Sequence, residues 1–221
     1  HTNKINFGAD APKATPAPAP QQPKKEIGFV SVSAGAGLTD IFKNLGVDIV
    51  IEGGQTMNPS TEDILNAVDQ IYADHIFILP NNKNIILAAE QAAKLSEDKV
   101  LHVIPTRSVP EGISAMLCYE QDAKADEMEA AMKEAIQLVD TATVTYAVRD
   151  TSFGDKQIKE GNILGMLNDQ IEVVAESVMD GAKQLVQLAV KEDSEVVGIY
   201  YGADATAEDA AELQTFIEEQ Y

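Results

Sequence analysis

Ile27-Gly-Phe-Val-Ser-Val32 is the first of four short apolar runs, rich in β-branched residues, that set the architecture of this chain. The others are Asp48–Ile51, Ile76–Leu79 and Val100–Ile104, and the runs begin 21 to 28 residues apart. Strands joined by connections this long need crossovers, which are usually helices and which give parallel pairing. The sequence therefore predicts an α/β fold with a mostly parallel sheet and flanking helices.

Helical patterns fill the gaps between these strands. Ser60 is placed as an N-cap with Asp63 at the capping-box offset, and Ile64, Val68 and Ile71 then fall on one helical face. The other helices are predicted at Gly35–Leu45, Asn84–Leu95 and around Pro110–Tyr119.

The second half has a different pattern, typical of a mixed α+β unit. Three apolar runs, at 157–160, 163–167 and 171–174, follow one another too closely for helical crossovers. Asn168-Asp169 between the last two predicts a hairpin turn. We also expect a helix carrying Met128, Met132, Ala135, Ile136 and Val139, a strand at Thr143–Val148, a helix at Val178–Val190, a strand at Glu195–Tyr201 and a last helix capped by Thr206, with Ala210, Leu213, Phe216 and Ile217 facing inward.

Three segments follow from this pattern. Residues 1–26 are predicted to be a disordered, flexible linker, because Pro12, Pro16, Pro18, Pro20 and Pro23 alternate with Ala and Gln. Residues 27–122 form the predicted α/β subdomain and residues 123–221 the α+β subdomain. Because the chain begins with His1 rather than Met, we expect it to be a piece of a longer protein.

Composition excludes several classes of partner. The net charge of −20 argues against nucleic acid and against an anionic membrane surface, since both require a basic face. No apolar run reaches the roughly 18 residues of a membrane span, so we expect no membrane insertion. A single cysteine favours a reducing compartment, and we expect a cytoplasmic protein.

Polar loops follow the four strands of the predicted parallel sheet. Ligands of such sheets bind beyond the carboxyl ends of the strands, where these loops converge. We therefore predict a site for a partner's loop or for an anion at this edge. The candidate residues are Gly53, Gly54, Gln55, Thr56, Met57, Asn58, Asn81, Asn82, Lys83 and Arg107. The competing interpretation is that such loops need Gly, Asn and N-caps merely to turn.

Motifs for other chemistry are missing. Gly35-Ala-Gly37 lacks the third Gly of a dinucleotide fingerprint, because Asp40 stands in its place, and no Walker-type Gly-Lys-Ser/Thr occurs. His75, His102 and Cys118 show no metal-ligand spacing, so we interpret them as partly buried side chains satisfied by the backbone. We expect no catalytic residue and no metal site in this chain.

Acidity is concentrated in the second half. Residues 119–221 hold 23 acidic and 7 basic side chains, and Glu208, Asp209 and Glu212 project from the last predicted helix. Such a stripe speeds docking of a basic partner, although it is also compatible with a simple solvated face.

Four motifs in order resemble a known family. They are the stretches Gly53–Ile64 (Gly-Gly-Gln-Thr-Met-Asn-Pro-Ser-Thr-Glu-Asp-Ile), Leu79–Asn84 (Leu-Pro-Asn-Asn-Lys-Asn), Pro105–Gly112 (Pro-Thr-Arg-Ser-Val-Pro-Glu-Gly) and Lys159–Ile171, which holds Glu-Gly-x-x-x-Gly. Together they are similar to the C-terminal domain of the larger, ATP-binding component (component A) of bacterial fatty acid kinase. That family is related to the dihydroxyacetone kinases. The resemblance covers about residues 27–221.

The resemblance implies a non-catalytic docking domain. In that family ATP and Mg²⁺ bind an N-terminal domain that this chain lacks, so no cofactor is expected here. The implied partner is a DegV-like fatty-acid carrier protein, which would present its acyl carboxylate to the kinase domain. A linker like residues 1–26 fits this role, because a long tether raises effective concentration while permitting reorientation.

Two other hypotheses stay open. Lys83 and Arg107 could hold a phosphate or carboxylate, which would make the first subdomain an anion-binding or acyl-phosphate-binding site. Alternatively, the chain could serve self-association of component A. Met57 and Arg107 at the loops, or Tyr200, Tyr201 and Tyr221 in the acidic half, are candidate anchors for a protein partner.

Overall fold

The computed structural model describes residues 23–221, which begin with the predicted parallel sheet. Its strands are β1 (Lys25–Ser33), β2 (Ile49–Glu52), β3 (Ala73–Leu79) and β4 (Val100–Val103), in the order β2-β1-β3-β4. All three pairings are parallel, so the predicted α/β fold is confirmed. β1 begins at Lys25, two residues before the predicted start of the α/β subdomain, and residues 1–22 of the linker lie outside the described residues.

Helices cover both faces of this sheet, because side chains alternate between the faces along each strand. In chain order the helices are α1 (Ala36–Asn44), α2 (Thr61–Asp69), α3 (Lys83–Leu95), α4 (Val109–Leu117) and α5 (Ala125–Gln137). Phe29 and Phe77 point to the face covered by α1, α4 and α5. Ile76 and Ile78 point to the face covered by α2 and α3. The capping box predicted at Ser60 and Asp63 opens α2.

Helix α5 belongs to the core of the sheet that precedes it. Met128 and Met132 are fully buried in the same apolar cluster as Phe29 and Phe77. The subdomain boundary predicted between residues 122 and 123 places α5 in the second unit. In the structure this position falls within one hydrophobic core.

The second unit is a small antiparallel sheet under a helix. In chain order it contains β5 (Ala142–Tyr146), β6 (Thr151–Phe153), β7 (Lys156–Ile158), β8 (Ile163–Leu167), β9 (Gln170–Ala175), α6 (Val178–Ala189) and α7 (Ala207–Gln220). Strands pair in the order β5-β8-β9, and β6 and β7 form a hairpin. Gly165 in β8 lies against the sheet and α6: a Cβ there would be 2.8 Å from the Val173 Cβ and 3.0 Å from the Leu185 Cγ.

The turn between β8 and β9 confirms the hairpin predicted at Asn168-Asp169. Both residues have positive φ, 49° and 67°, which is the left-handed conformation that a two-residue hairpin loop requires. Asn and Asp tolerate this region better than other non-glycine residues.

One predicted strand is wrong and one strand was missed. Glu195–Tyr201 is not a strand among the described residues, since its backbone groups pair with no neighbouring strand. β-branched and aromatic composition favours a strand, but a strand also needs an edge to pair with. The missed strand is β6, whose three exposed residues carry no apolar alternation.

Candidate functional site

The four loops after the parallel strands meet at one edge of the sheet, as predicted, and hydrogen bonds join them. We call residues 33–35, 53–60, 80–83 and 105–108 the loop edge. The Gly53 amide donates to the Ser33 carbonyl over 3.1 Å, and the Asn82 side-chain amide donates to the Gly54 carbonyl over 2.9 Å. The Asn81 amide donates to the Thr106 hydroxyl over 2.9 Å. Part of this polarity therefore fastens the loops to one another.

Asn81 fills the crevice between β1 and β3, where the chain order of the sheet reverses. Asn81 is 8% exposed, and its Nδ2 donates to the Val32 carbonyl over 2.9 Å. A Cβ added at Gly112 would overlap the Asn81 Oδ1, so α4 closes over the side chain. Doubly wound sheets usually bind ligands at such a switch point. Here a side chain of the protein occupies it.

The hairpin turn of the second unit rests against the loop edge. Lys83 Nζ lies 3.6 Å from a carboxylate oxygen of Asp169, and the Ser108 and Thr141 hydroxyl oxygens are 2.8 Å apart. Asn168 fixes the approach, since its side chain accepts from the Thr141 amide over 2.9 Å. Lys83 is thus paired within the chain, and part of the loop edge is an internal contact between the two units.

Burial also affects Glu111, at the start of α4. Desolvation raises the pKa of this carboxyl, against the opposing effect of its hydrogen bond from the Arg107 amide. The Asp169 charge raises the pKa further, which again reflects the approach of the hairpin turn to this edge.

The solvent-facing part of the loop edge is the segment Gln55–Asn58, together with Arg107. These side chains are exposed, Met57 by 78%. Gly53 and Gly54 are half-buried, and a Cβ on Gly53 would lie 3.0 Å from the Met57 carbonyl oxygen, so this loop folds back on itself. The structure brings the predicted residues to one edge, but it distributes them between structural and exposed roles.

The predicted acidic residues lie on α7, the last helix. Asp209 completes a capping box with Thr206, and Glu212 pairs with Lys183 of α6 at 3.1 Å. Glu208 is exposed. The apolar residues predicted to face inward on this helix are Ala210, Leu213, Phe216 and Ile217, and they are only half-buried. Helix α7 therefore rests loosely on α6 and offers most of its surface to solvent.

The segment before α7 exposes large apolar and aromatic side chains. Val196 is 88% exposed, and Tyr200 and Tyr201 are 43% and 53% exposed. We call residues 195–221 the C-terminal segment. In sequence, its exposed apolar residues are followed by the carboxylates of α7, a composition that suits a protein-binding surface with a polar rim.

The histidines are bonded differently from the prediction. His75 Nδ1 and His102 Nε2 are 3.0 Å apart, and His102 Nδ1 lies 2.6 Å from a carboxylate oxygen of Glu129. The interpretation that the backbone satisfies them is therefore wrong. Strand pairing places His102 opposite Phe77, two residues from His75, so all three point to one face. The alternation of side chains along each strand could have indicated that these residues share a face, but only with the register between β3 and β4 known.

Cys118 shows no sign of activation. Burial raises the pKa of its thiol. A raised pKa lowers the thiolate fraction and with it the nucleophilicity of the sulfur.

None of the helices described within residues 23–221 has the length and apolar character needed to cross a membrane.

Comparisons with known proteins point to one family. The family model for the C-terminal region of fatty acid kinase A-like subunits matches residues 28–221. Protein YloV of Bacillus subtilis (strain 168) is 48% identical over 198 residues, which cover 90% of this chain and 36% of YloV. An uncharacterized protein of Staphylococcus aureus (strain USA300) is 39% identical over 202 residues, covering 91% of this chain and 37% of that protein. The chain thus spans little more than a third of the length of these curated relatives.

Proposed function

This chain belongs to the family of C-terminal domains of fatty acid kinase A-like subunits, and we propose that it is the docking domain of a two-component fatty acid kinase. It binds a DegV-like carrier protein in the cytoplasm, so that the carrier's acyl carboxylate is phosphorylated by a separate domain. ATP and Mg²⁺ bind that other domain, and this chain contributes no catalytic residue.

The observation that supports this proposal most is the C-terminal segment. The backbone groups of residues 195–201 make no hydrogen bond with other backbone groups of residues 23–221, and Val196, Tyr200 and Tyr201 are exposed. Interface centres are enriched in aromatic residues, and a few of them usually carry most of the binding energy. Tyr200 and Tyr201 are the anchors that we propose.

The charge of the segment defines the complementary partner. Helix α7 carries five carboxylates, Glu208, Asp209, Glu212, Glu218 and Glu219, and no basic side chain. A carrier with a basic rim around an apolar patch fits this surface. Long-range attraction would raise the association rate, and this contribution falls as salt screens it.

Calorimetric titration of the chain with purified, fatty-acid-loaded carrier tests the proposal. Tyr200→Ala and Tyr201→Ala are expected to weaken binding about 10-fold or more each, as truncation of an interface anchor does. Tyr146→Ala is the matched control, because Tyr146 is 58% exposed on β5, outside the segment. Absence of binding by the wild-type chain would refute docking altogether.

Variants at the loop edge distinguish the competing surface. Arg107→Ala and Met57→Ala remove the exposed anchors there without touching the Asn81 contacts. We expect both variants to bind the carrier as the wild type does, and faster dissociation of either variant would indicate that the interface lies at the loop edge.

Charge reversal of Glu208 should slow association and reduce its salt dependence, whereas charge reversal of Glu62 on α2 should not.

The anion-binding alternative gains less support from the geometry. Lys83 is paired with Asp169, and Asn81 fills the crevice between β1 and β3. A thermal-shift titration with inorganic phosphate, acyl phosphate and a free fatty acid is expected to leave the unfolding temperature unchanged.

A further inference from the structure

A second group of polar side chains lies on the sheet face opposite α2 and α3, away from the loop edge and from the C-terminal segment. We call His75, His102, Asp126 and Glu129 the histidine–carboxylate cluster. One ring nitrogen of His102 and one oxygen from each carboxylate lie within 4.8 Å of one another. His102 comes from β4, and the two carboxylates come from the first turns of α5.

His102 is held in place more firmly than an ordinary surface histidine. It is 6% exposed, and its ring stacks on Phe77 with centroids 4.6 Å apart and planes 11° apart. His75 bonds its Nε2, so its Nδ1 is the nitrogen that faces Glu129. Metal-binding histidines usually have their second nitrogen bonded in this way, which fixes the orientation of the ring.

From this geometry we propose that His102, Asp126 and Glu129 form a binding site for a divalent transition-metal ion such as Zn²⁺, with His75 as the partner that orients His102. One imidazole and two carboxylates are a donor set that zinc accepts, and the exposed side at Asp126 leaves room for water as a further ligand. Mg²⁺ and Ca²⁺, which prefer oxygen ligands alone, suit this set poorly.

Metal binding requires a definable change at the His102–Glu129 pair, and the Asp126 oxygen, which lies within 4.8 Å of the other two ligand atoms, must also move to ligand spacing. The His102 Nδ1 and the Glu129 oxygen are 2.6 Å apart, a hydrogen-bond distance, whereas two ligands of a tetrahedral zinc ion lie about 3.3 Å apart. The ion would replace the Nδ1 proton and displace the carboxylate by less than about 1 Å, the change in this separation. The His102 proton then resides on Nε2 and is donated to the Nδ1 of His75, whose own proton moves from Nδ1 to Nε2 so that Nδ1 becomes the acceptor. Each ring exchanges one tautomer for the other, so the number of protons on the pair is unchanged.

Such an ion would join β4 to the start of α5. Lys133 already bonds the second oxygen of Glu129 at 2.5 Å and lowers the electrostatic cost of holding two carboxylates together. The metal would add a cross-link at the edge strand of the parallel sheet.

Calorimetric titration of the metal-stripped full chain with ZnCl₂ tests the site. One equivalent is expected to bind to the wild type, and Glu129→Gln is expected to weaken this binding about tenfold or more. Glu134→Gln, on the exposed face of the same helix, removes the same charge and is expected to have no effect. Equal affinity in all three proteins would mean that zinc binds only adventitiously to the acidic surface, and it would overturn the proposal.

Nitrogen-15 NMR of the histidine rings gives a second readout that does not depend on stability. Saturating zinc is expected to move the His102 proton from Nδ1 to Nε2, while MgCl₂ at the same concentration leaves it on Nδ1. A His102 ring that keeps its Nδ1 proton in saturating zinc would also overturn the proposal.

Discussion

Replacement of Asn81 measures how much of the loop edge is structural. Asn81→Ala deletes the amide that donates to the buried Val32 carbonyl and leaves that oxygen without its partner. It also places alanine at a φ of 56°, in the left-handed region that Asn tolerates and Ala does not. The two effects act in the same direction, and Asn81→Gly separates them because glycine accepts this φ without strain.

The sizes of these effects follow from their causes. An unpaired buried acceptor costs about 1–3 kcal/mol, and the left-handed backbone adds about 1 kcal/mol for alanine. Asn81→Ala should therefore lower the free energy of unfolding by about 2–4 kcal/mol. Glycine avoids this strain of about 1 kcal/mol but loses about 0.4–1 kcal/mol through its greater unfolded-state entropy, so Asn81→Gly should be more stable than Asn81→Ala by up to about 0.6 kcal/mol.

Urea unfolding followed by far-UV circular dichroism gives these free energies, and an unchanged denaturant slope would show that the same transition is measured. Asn58→Ala is the control: Asn58 is exposed at the same edge, and its replacement should change stability by no more than about 0.5 kcal/mol. An Asn81→Ala protein as stable as the Asn58→Ala protein would refute the structural role. An Asn81→Gly protein that is less stable than the Asn81→Ala protein would refute the backbone-strain part of the argument.

Three further predictions concern other parts of the chain. Gly165→Ala should lower the free energy of unfolding by about 1–3 kcal/mol through overpacking against α6. Gly37→Ala in α1, where a Cβ meets nothing within 4 Å, should leave it unchanged or raise it by up to about 1 kcal/mol; equal effects in urea unfolding would contradict the packing argument. Cys118 should react with iodoacetamide at about neutral pH more slowly than free cysteine, and a faster reaction would contradict the raised pKa of its thiol. The Asn168 and Lys191 hydrogen bonds lower the pKa of Asp140 in the folded protein. Their contribution to the free energy of unfolding is therefore present above the ordinary pKa of 3.8 and is lost as the pH falls below it. An Asp140→Asn protein should lose less stability than the wild type between about pH 5 and pH 3.

The parallel sheet was predictable from the periodicity of apolar residues, because this periodicity is a pattern among residues close in sequence. Each strand of the first unit is an apolar run, and a capped or periodic helix separates it from the next. Glu195–Tyr201 has the same local character but is not a strand, since pairing depends on an edge that must be brought to it from elsewhere in the fold. Local composition reports which segments are able to pair and leaves open whether a partner strand is present.

The candidate site was predictable only in part for a related reason. The sequence order of the strands places the four loops at one edge, and the structure confirms that arrangement. The sequence does not reveal that the Asn168-Asp169 turn approaches this edge and that Asp169 pairs with Lys83, because that contact joins residues 86 positions apart. The His75–His102 contact likewise depends on the register between β3 and β4, which the two strand sequences do not specify by themselves.

The acidity of the C-terminal segment bears on the choice between a second copy and a different partner. An unpaired run of β-branched and aromatic residues is a template for pairing with another chain, and charged residues at its ends suppress pairing with an identical one. Here Glu192 and Asp193 precede the run, and Asp204 and the carboxylates of α7 follow it. Two copies meeting at this surface would bring like charges together, whereas a carrier with a basic rim would gain attraction from the same groups. The charge that argues against a nucleic-acid partner thus also disfavours self-association through this segment, and it supports the proposed docking to a partner of opposite charge.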